Sequence, residues 1–327
     1  MLALFQRSAW ANERLLYFCA QQPAEVVTAA ASGDVYGAID AQFAHIVSAE
    51  TGFLPWITGE RRDSRINSAN PPPLDEMREP MDWVAERWPG ALDFGRDPET
   101  VFEVQRRSGP AAMTDWLVLL QALHHGDDHR TQIGTLLGRQ HIDGPDLDLW
   151  NFYPANAPES SAGNVSRRDQ VLRRAFGHHI WATDELLKRC ADLSPQQLAL
   201  TAPGTYGPLL DTLDHLVSAD RSYLSRLKGT GRQPALNAGA VKPLQAQFTK
   251  SGADWLAYLD SRPEYDEMIM LRDADQVPAW VILGQAIHHG NDHRTHAGTV
   301  LMHHGIPYPE LDPWEYALAI GAVQILR

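Results

Sequence analysis

The phrase HHGDDHRTQIGTLL occupies His124–Leu137, and HHGNDHRTHAGTVL occupies His288–Leu301, with ten of fourteen positions identical at an offset of 164. Other blocks repeat in the same order. WANERLLYFC from Trp10 pairs with WATDELLKRC from Trp181 at an offset of 171, which aligns Cys19 with Cys190. HIVSAE from His45 pairs with HLVSAD from His215 at 170, with Tyr36-Gly37 and Tyr206-Gly207 upstream in the same register. LDLWNF from Leu147 pairs with LDPWEY from Leu311 at 164. Offsets that drift by only a few residues are what loop insertions leave between two copies of one domain, because loops absorb length changes at low cost. The chain therefore reads as a duplication. One domain is expected over residues 1–158 and a second over 165–327, with a connector rich in Pro, Ala, Ser and Asn placing the boundary near Pro158–Asn164.

Within each copy the blocks have helical spacing. Apolar residues recur every three or four positions from Trp10 to Cys19 and from Ala41 to Ile57, and GDVYG and GTYG break the chain before the second helix. In copy one, GERRDSRINSANPPPLDEMREP is expected to be mostly loop, since four prolines between Pro71 and Pro80 oppose a regular helix. A third helix is predicted over MDWVAERW and, after a break at DFGRDP, on to Arg107. Its counterpart is LQAQFTKSGADWLAYLDS. The fourth helix carries the histidine phrase. Few alternating runs remain for strands, so the expected class is all-α, as two tandem four-helix bundles.

On a helix, residues three or four apart share a face. Val118, Ala122, His125, His129, Ile133 and Leu136 follow that spacing, as do Ile282, Ala286, His289, His293, Ala297 and Val300. The imidazoles thus interrupt a stripe that is otherwise apolar. Asp127, replaced by Asn291, falls on the opposite face and is expected at water. Two histidines at i and i+4 can share one metal ion, with Zn–N distances of about 2.0–2.1 Å. A third ligand is available in the second helix, His45 in FAHIV and His215 in LDHLV. If the second and fourth helices are neighbours, His45, His125 and His129 meet at one point in the core, and His215, His289 and His293 at another. A lone HxxxH is more often packing than metal; recurrence of all three positions in a diverged second copy favours the ligand reading. His296, standing where copy one has Gln132, is placed to crowd or alter the second site.

Three imidazoles leave a coordination position for water, thiol or substrate, as in catalytic zinc sites. The HExxH pattern of metallopeptidases is absent, because Gly126 and Gly290 stand where its Glu would be. Asp128 and Asp292 are candidates for orienting a ligand imidazole from outside the coordination sphere, or for pairing with a histidine at the surface. Arg130 and Arg294 read as salt-bridge partners before anion receptors. Tyr36 and Tyr206 reach the site or cap and pack the turn, and Trp150 and Trp314 are expected to pack each terminal segment onto its own bundle. His178, His179, His303 and His304 lack equivalents in copy one and are expected at the surface.

The totals set the class. The 327 residues carry a formal charge of −13, from 28 basic and 41 acidic side chains, without a dense basic block, which disfavours nucleic-acid binding. Two cysteines are too few for a disulfide framework and are expected as small buried residues of a cytoplasmic protein. No stretch approaches the roughly 18 uninterrupted apolar residues of a membrane span.

One histidine in the second helix, HxxxH followed by Arg in the fourth, and a closing LDLW or LDPW together resemble the DinB/YfiT-like superfamily of four-helix bundle proteins, across nearly the whole chain as two tandem copies. The resemblance implies a divalent metal, zinc or nickel, held by His45, His125 and His129 and by His215, His289 and His293, so up to two ions per chain. It implies metal-dependent transfer or isomerisation of a small molecule with a low-molecular-weight thiol as partner. It also implies an intrachain pseudo-dimer within a chain that is itself a monomer or a dimer. The alternative is a non-catalytic metal-binding protein of a stress or DNA-damage response.

Overall fold

The computed structural model describes residues 1–29, 37–62, 66–93, 95–106, 109–155, 165–261, 263–272 and 275–323. The expected boundary near 158–164 and Tyr36 lie outside them. In chain order the elements are α1 (Leu2–Ala20), α2 (Ala24–Thr28), α3 (Ile39–Thr58), α4 (Arg78–Ala85), α5 (Trp88–Ala91), β1 (Phe102–Arg106), β2 (Gly109–Met113), α6 (Asp115–Arg139), α7 (Leu149–Ala155) and α8 (Val165–Cys190). There follow α9 (Pro195–Leu198), α10 (Leu209–Leu227), α11 (Val241–Asp260), β3 (Met268–Arg272), β4 (Asp275–Pro278), α12 (Ala279–His303) and α13 (Pro313–Ala319). The molecule is mostly helical, and no described helix is long and apolar enough to cross a membrane.

Two compact units divide the chain. The first comprises Met1–Asp146, Pro158–Leu172 and Asp312–Arg327; the second comprises Leu147–Ala157 and Arg173–Leu311. The short helix that ends each sequence repeat is therefore counted with the unit built mainly from the other repeat. In unit two, the Leu149 N–H donates to Gln285 Oε1 at 2.9 Å, the Tyr153 and Trp280 rings lie 5.7 Å apart, and Trp150 packs 6.0 Å from Tyr223. In unit one, Tyr316 of α13 meets Trp116 of α6 edge-on at 6.1 Å. Trp150 does not pack onto its own repeat, as the sequence led us to expect.

The long helices form where the sequence supplies both an apolar stripe and a start signal. Thr114 accepts the Leu117 N–H at the head of α6, with Asp115 in the first turn and Arg139 in the last, each suited to the helix dipole. Pro278, which has no N–H to lose, precedes α12. Gly59 ends α3 at φ 76°, a left-handed conformation open to glycine, and its N–H closes on Pro55 O. In unit one α3 packs on α6; in unit two α10 packs on α12 and α11. The buried contacts include Phe43, Ile46, Val118 and Ile133 in the first, and Leu213, Val217, Phe248 and Val300 in the second.

Two expectations fail here. The third helix of copy one does not run to Arg107: it stops at Ala85, a single turn follows at Trp88–Ala91, and residues 102–106 form β1, antiparallel to β2. FEVQR alternates polar and apolar residues with the period of two that a strand requires. The equivalent hairpin of unit two, β3 with β4, also leads directly into the histidine helix; the molecule remains mostly helical, consistent with the all-α class, with these two short hairpins added. The proline-rich stretch also holds more structure than expected. A 3-10 turn at Leu74–Met77 runs into α4, and Pro80 sits in its first turn, where no backbone bond is lost.

Asp127 is not at water. It is buried, paired with the Arg7 guanidinium and with Arg130 Nη2 at 2.5 Å. Arg130 Nη1 donates to Asn12 Oδ1 at 2.6 Å, and Asn12 Nδ2 donates to Glu50 at 3.4 Å. Burial pushes Glu50 up to about 7, against the pull of Arg130 and of hydrogen bonds from Asn12 and Trp88. Unit two builds the same cluster from other residues. Arg294 Nη2 donates to Asn291, while its Nη1 donates to Thr183 Oγ1 at 2.9 Å and to His179 Nδ1 at 3.2 Å. The His179 Nε2–H donates to Asp220 at 2.9 Å, and Trp255 Nε1 donates to the same carboxylate at 3.0 Å. His178 donates from Nε2 to Leu311 O at 2.7 Å. His178 and His179 are thus buried rather than at the surface, because each has an internal partner.

The exchanges between units conserve charge. Where unit one has Arg7 and Asp127, unit two has His178 and Asn291 at the aligned positions, so one positive and one negative charge disappear together. The aromatic wall is kept: Phe5 and Trp88 lie 4.7 Å apart at 35°, Phe176 and Trp255 4.7 Å apart at 36°. The glycine of each phrase makes room for the cluster. A Cβ on Gly126 would stand 2.9 Å from Arg130 Nη1, and one on Gly290 would stand 2.5 Å from the His179 ring.

Two stability outcomes follow from this cluster. Gly290→Ala should lower unfolding free energy by about 1–3 kcal/mol through overpacking, and by more than Gly126→Ala, whose clash is with a flexible guanidinium; equal losses in chemical denaturation would contradict the packing. Asp127→Asn should cost about 3–5 kcal/mol by removing a buried carboxylate shared by two guanidiniums, and the added change Arg7→His should recover part of that loss.

Candidate metal centre

In unit one, α3 presents His45 and α6 presents His125 and His129. The Nε2 atoms of His45 and His125 are 3.1 Å apart. The His129 ring centroid lies 4.3 Å from that of His125 and 4.7 Å from that of His45. One nitrogen from each ring falls within 4.8 Å of the others. The cluster does not lie in the core as expected: His45 is exposed and the other two are half-buried, so the site opens to solvent.

The tautomer of His129 is set by its neighbours. Its Nδ1 lies 2.5 Å from Gln42 Oε1 and 2.8 Å from Gln132 Oε1, two acceptors that require a proton on Nδ1 and leave the Nε2 lone pair free for a cation. Gln132 is held in turn by its Nε2 donating to Asp128 Oδ2 at 2.7 Å. Asp128 thus reaches the site through Gln132. Gln42 and Gln132 were not singled out from sequence, although both lie three residues from a ligand position and share its helix face.

Unit two repeats the arrangement with His215 on α10 and His289 and His293 on α12. His215 and His289 bring their Nε2 atoms to 3.0 Å. The ring centroids of His293 lie 4.2 Å from His289 and 4.7 Å from His215. Among the described residues, its neighbours are these. Tyr206 stacks on His215 at 4.6 Å and 22°, edge-on to His293 at 4.9 Å. Tyr223 meets His289 edge-on at 5.6 Å, in the position Phe53 holds against His125 at 6.0 Å. His288 Nε2 lies 3.4 Å from Asp148 Oδ1. Asp148 carried no local signal, and only its recurrence as Asp312 in the repeated LDxW block marked it. Asp292 lies 3.9 Å from His296 Nδ1. Its charge and that of Asp148 raise the His293 pKa against burial.

Burial keeps these imidazoles neutral. It lowers His129 to about 4 and His293 to about 3, and takes His125 and His289 well below the ordinary histidine value, helped by neighbouring imidazoles. His45 and His215 are lowered as well, mainly by burial. A neutral imidazole is the form that binds a metal. Tetrahedral Zn–N bonds of about 2.0–2.1 Å place ligand nitrogens about 3.3 Å apart, close to the Nε2 separations seen in both units. The donor set therefore fits a divalent cation. A hydrogen bond between two rings satisfies one lone pair, whereas a cation satisfies all three.

The lowered values fix the pH response of the metal-free protein. Below about 6.5 the unfolded chain takes up protons on histidines that stay neutral in the folded state until about pH 4 or 3, so stability falls across that window. Glu50, raised to about 7, acts in the opposite sense, its contribution being lost as pH rises through 7. It is outnumbered by the six clustered histidines and His179, which burial also lowers. The melting temperature in chelator should drop between pH 7 and pH 5; an unchanged value would show that these rings are not held neutral.

No curated protein sequence matches the chain. Residues 178–298, which include His215, His289 and His293, match the family model described as DinB superfamily.

Proposed function

We propose that the chain is a duplicated DinB-like protein, two tandem four-helix bundles, in which His45, His125 and His129 hold one divalent ion and His215, His289 and His293 a second, zinc or nickel in each. We assign to it the transfer or isomerisation of a small electrophile with a low-molecular-weight thiol. The observation that carries this reading is the meeting of three imidazoles from two helices, found in each unit. The family match over residues 178–298 supports it.

A cation on three imidazoles supplies Lewis acidity with room for a further ligand, and lowers the pKa of a thiol or water bound there. The chain's own groups set the rest. Gln42 and Gln132 hold His129 in the tautomer that offers Nε2. Half-exposed Tyr206 forms an aromatic wall over the mouth of the second site, where it can stack on an arriving molecule. Asp148, beside His288, is a carboxylate able to receive a proton from a bound thiol. The thiol must come from another molecule, because Cys19 and Cys190 are buried and burial pushes both up to about 12.

Elemental analysis of the purified protein tests the metal reading. The triads should account for two ions per chain, of which His125→Ala loses one and His125→Ala with His289→Ala loses both. Turnover on a panel of thiols and electrophiles, lost in the double variant, would support the transferase assignment. Retention of metal without turnover across the panel would leave the non-catalytic metal-binding reading, and absence of metal from the wild type would overturn both.

A further inference from the structure

Unit two has a second constellation beside its triad. In unit one the His129 Nδ1 is taken by Gln42 and Gln132. The aligned positions in unit two are Thr212 and His296, and the Thr212 hydroxyl donates instead to Pro208 O at 3.1 Å. The ring of His293 keeps its place in the triad, but its Nδ1 is buried without a hydrogen-bond partner, and so is the Nδ1 of His296. His293 is only 5% exposed. The two rings stand edge to face at 5.8 Å. Asp292, four residues before His296 on α12, places a carboxylate oxygen 3.9 Å from the His296 Nδ1. One donor atom from each of Asp292, His293 and His296 lies within 4.8 Å of the others.

We propose that unit two holds a further divalent cation on Asp292, His293 and His296, so that His293 bridges a pair of ions through its two nitrogens. The proposal rests on the triad reading given above. Two imidazole nitrogens and a carboxylate are a donor set suited to zinc and to neighbouring first-row divalent ions. Binding replaces the proton on the bridging ring, which passes to solvent. Repulsion between the two ions is offset by that bridge and by the carboxylates of Asp292 and Asp148, both of which act electrostatically on His293. The site is reachable, since the side chains of His296 and Asp292 are 16% and 31% exposed. Unit one cannot build the same pair: glutamine stands at position 132, and its amide oxygen already occupies the corresponding ring nitrogen.

The test is a titration of the full-length, metal-stripped protein with zinc against a chromophoric chelator, with proton release followed in weak buffer. The wild type should take three equivalents, the weakest of them accompanied by extra proton release. His296→Gln, which installs the residue of unit one in the same space, should take two and lose that release. Asp292→Asn, nearly equal in size, should weaken the third equivalent or abolish it. Two equivalents in all three proteins, or three retained in His296→Gln, would overturn the bridged pair while leaving the triads standing. Fewer than two in the wild type would overturn the triads with it.

Discussion

In each unit a buried guanidinium next to the histidine pair ties the histidine helix to the helices around it. Arg130 follows His129 directly and points into the protein, where it binds Asp127 on its own helix and Asn12 on α1, close to Glu50 on α3. Arg294 does the same in unit two through Asn291, Thr183 and His179, with Asp220 behind. Such a clamp fixes how the histidine helix is rotated about its axis, and a charge buried without it would be costly. The third histidine stands five residues before the carboxylate, His45 before Glu50 and His215 before Asp220. The clamp beside two of the histidines therefore also reaches the helix that carries the third. Glycine before the clamp, at 126 and 290, is the space this requires.

The two units reach the same geometry with different chemistry, and the differences are compensated. Asp127 and Arg7 of unit one are both replaced at the aligned positions of unit two, by Asn291 and His178, so one charge of each sign is absent together. His179, standing where unit one has Ser8, joins arginine to carboxylate as an acceptor on one nitrogen and a donor on the other. Around the histidine triads the difference is of another kind: His129 of unit one is held by Gln42 and Gln132, with Asp128 behind Gln132, whereas the aligned positions of unit two are Thr212 and His296.

Much of this was legible in the sequence. The repeated phrase located both histidine helices, and spacing of three and four placed His125 with His129 and His289 with His293 on one face. The partners His45 and His215 could be named because their blocks recur in register. What periodicity could not tell was the surroundings. Asp127 occupies a face that reads as polar, and only the arrival of α1 with Arg7 buries it. His178 and His179 looked like surface residues because copy one has no histidine there, yet they stand at the aligned positions of Arg7 and Ser8. The strand at Phe102–Arg106 is short, and its pairing with Gly109–Met113 outweighed its proximity to helical text. Asp148 was hidden for a different reason: chain distance says nothing about which unit a terminal segment joins.

That last feature has a consequence for how the protein can be divided. Because Leu147–Ala157 belongs with Arg173–Leu311, and Asp312–Arg327 with Met1–Asp146, scission in the connector would produce two fragments, each carrying a closing helix that fits the other and lacking the one it needs. Isolated halves would expose Trp116 in one case and Gln285, Tyr223 and Trp280 in the other. The sequence repeat and the compact unit thus have different boundaries, and Asp148, which lies beside His288, would be parted from the second triad.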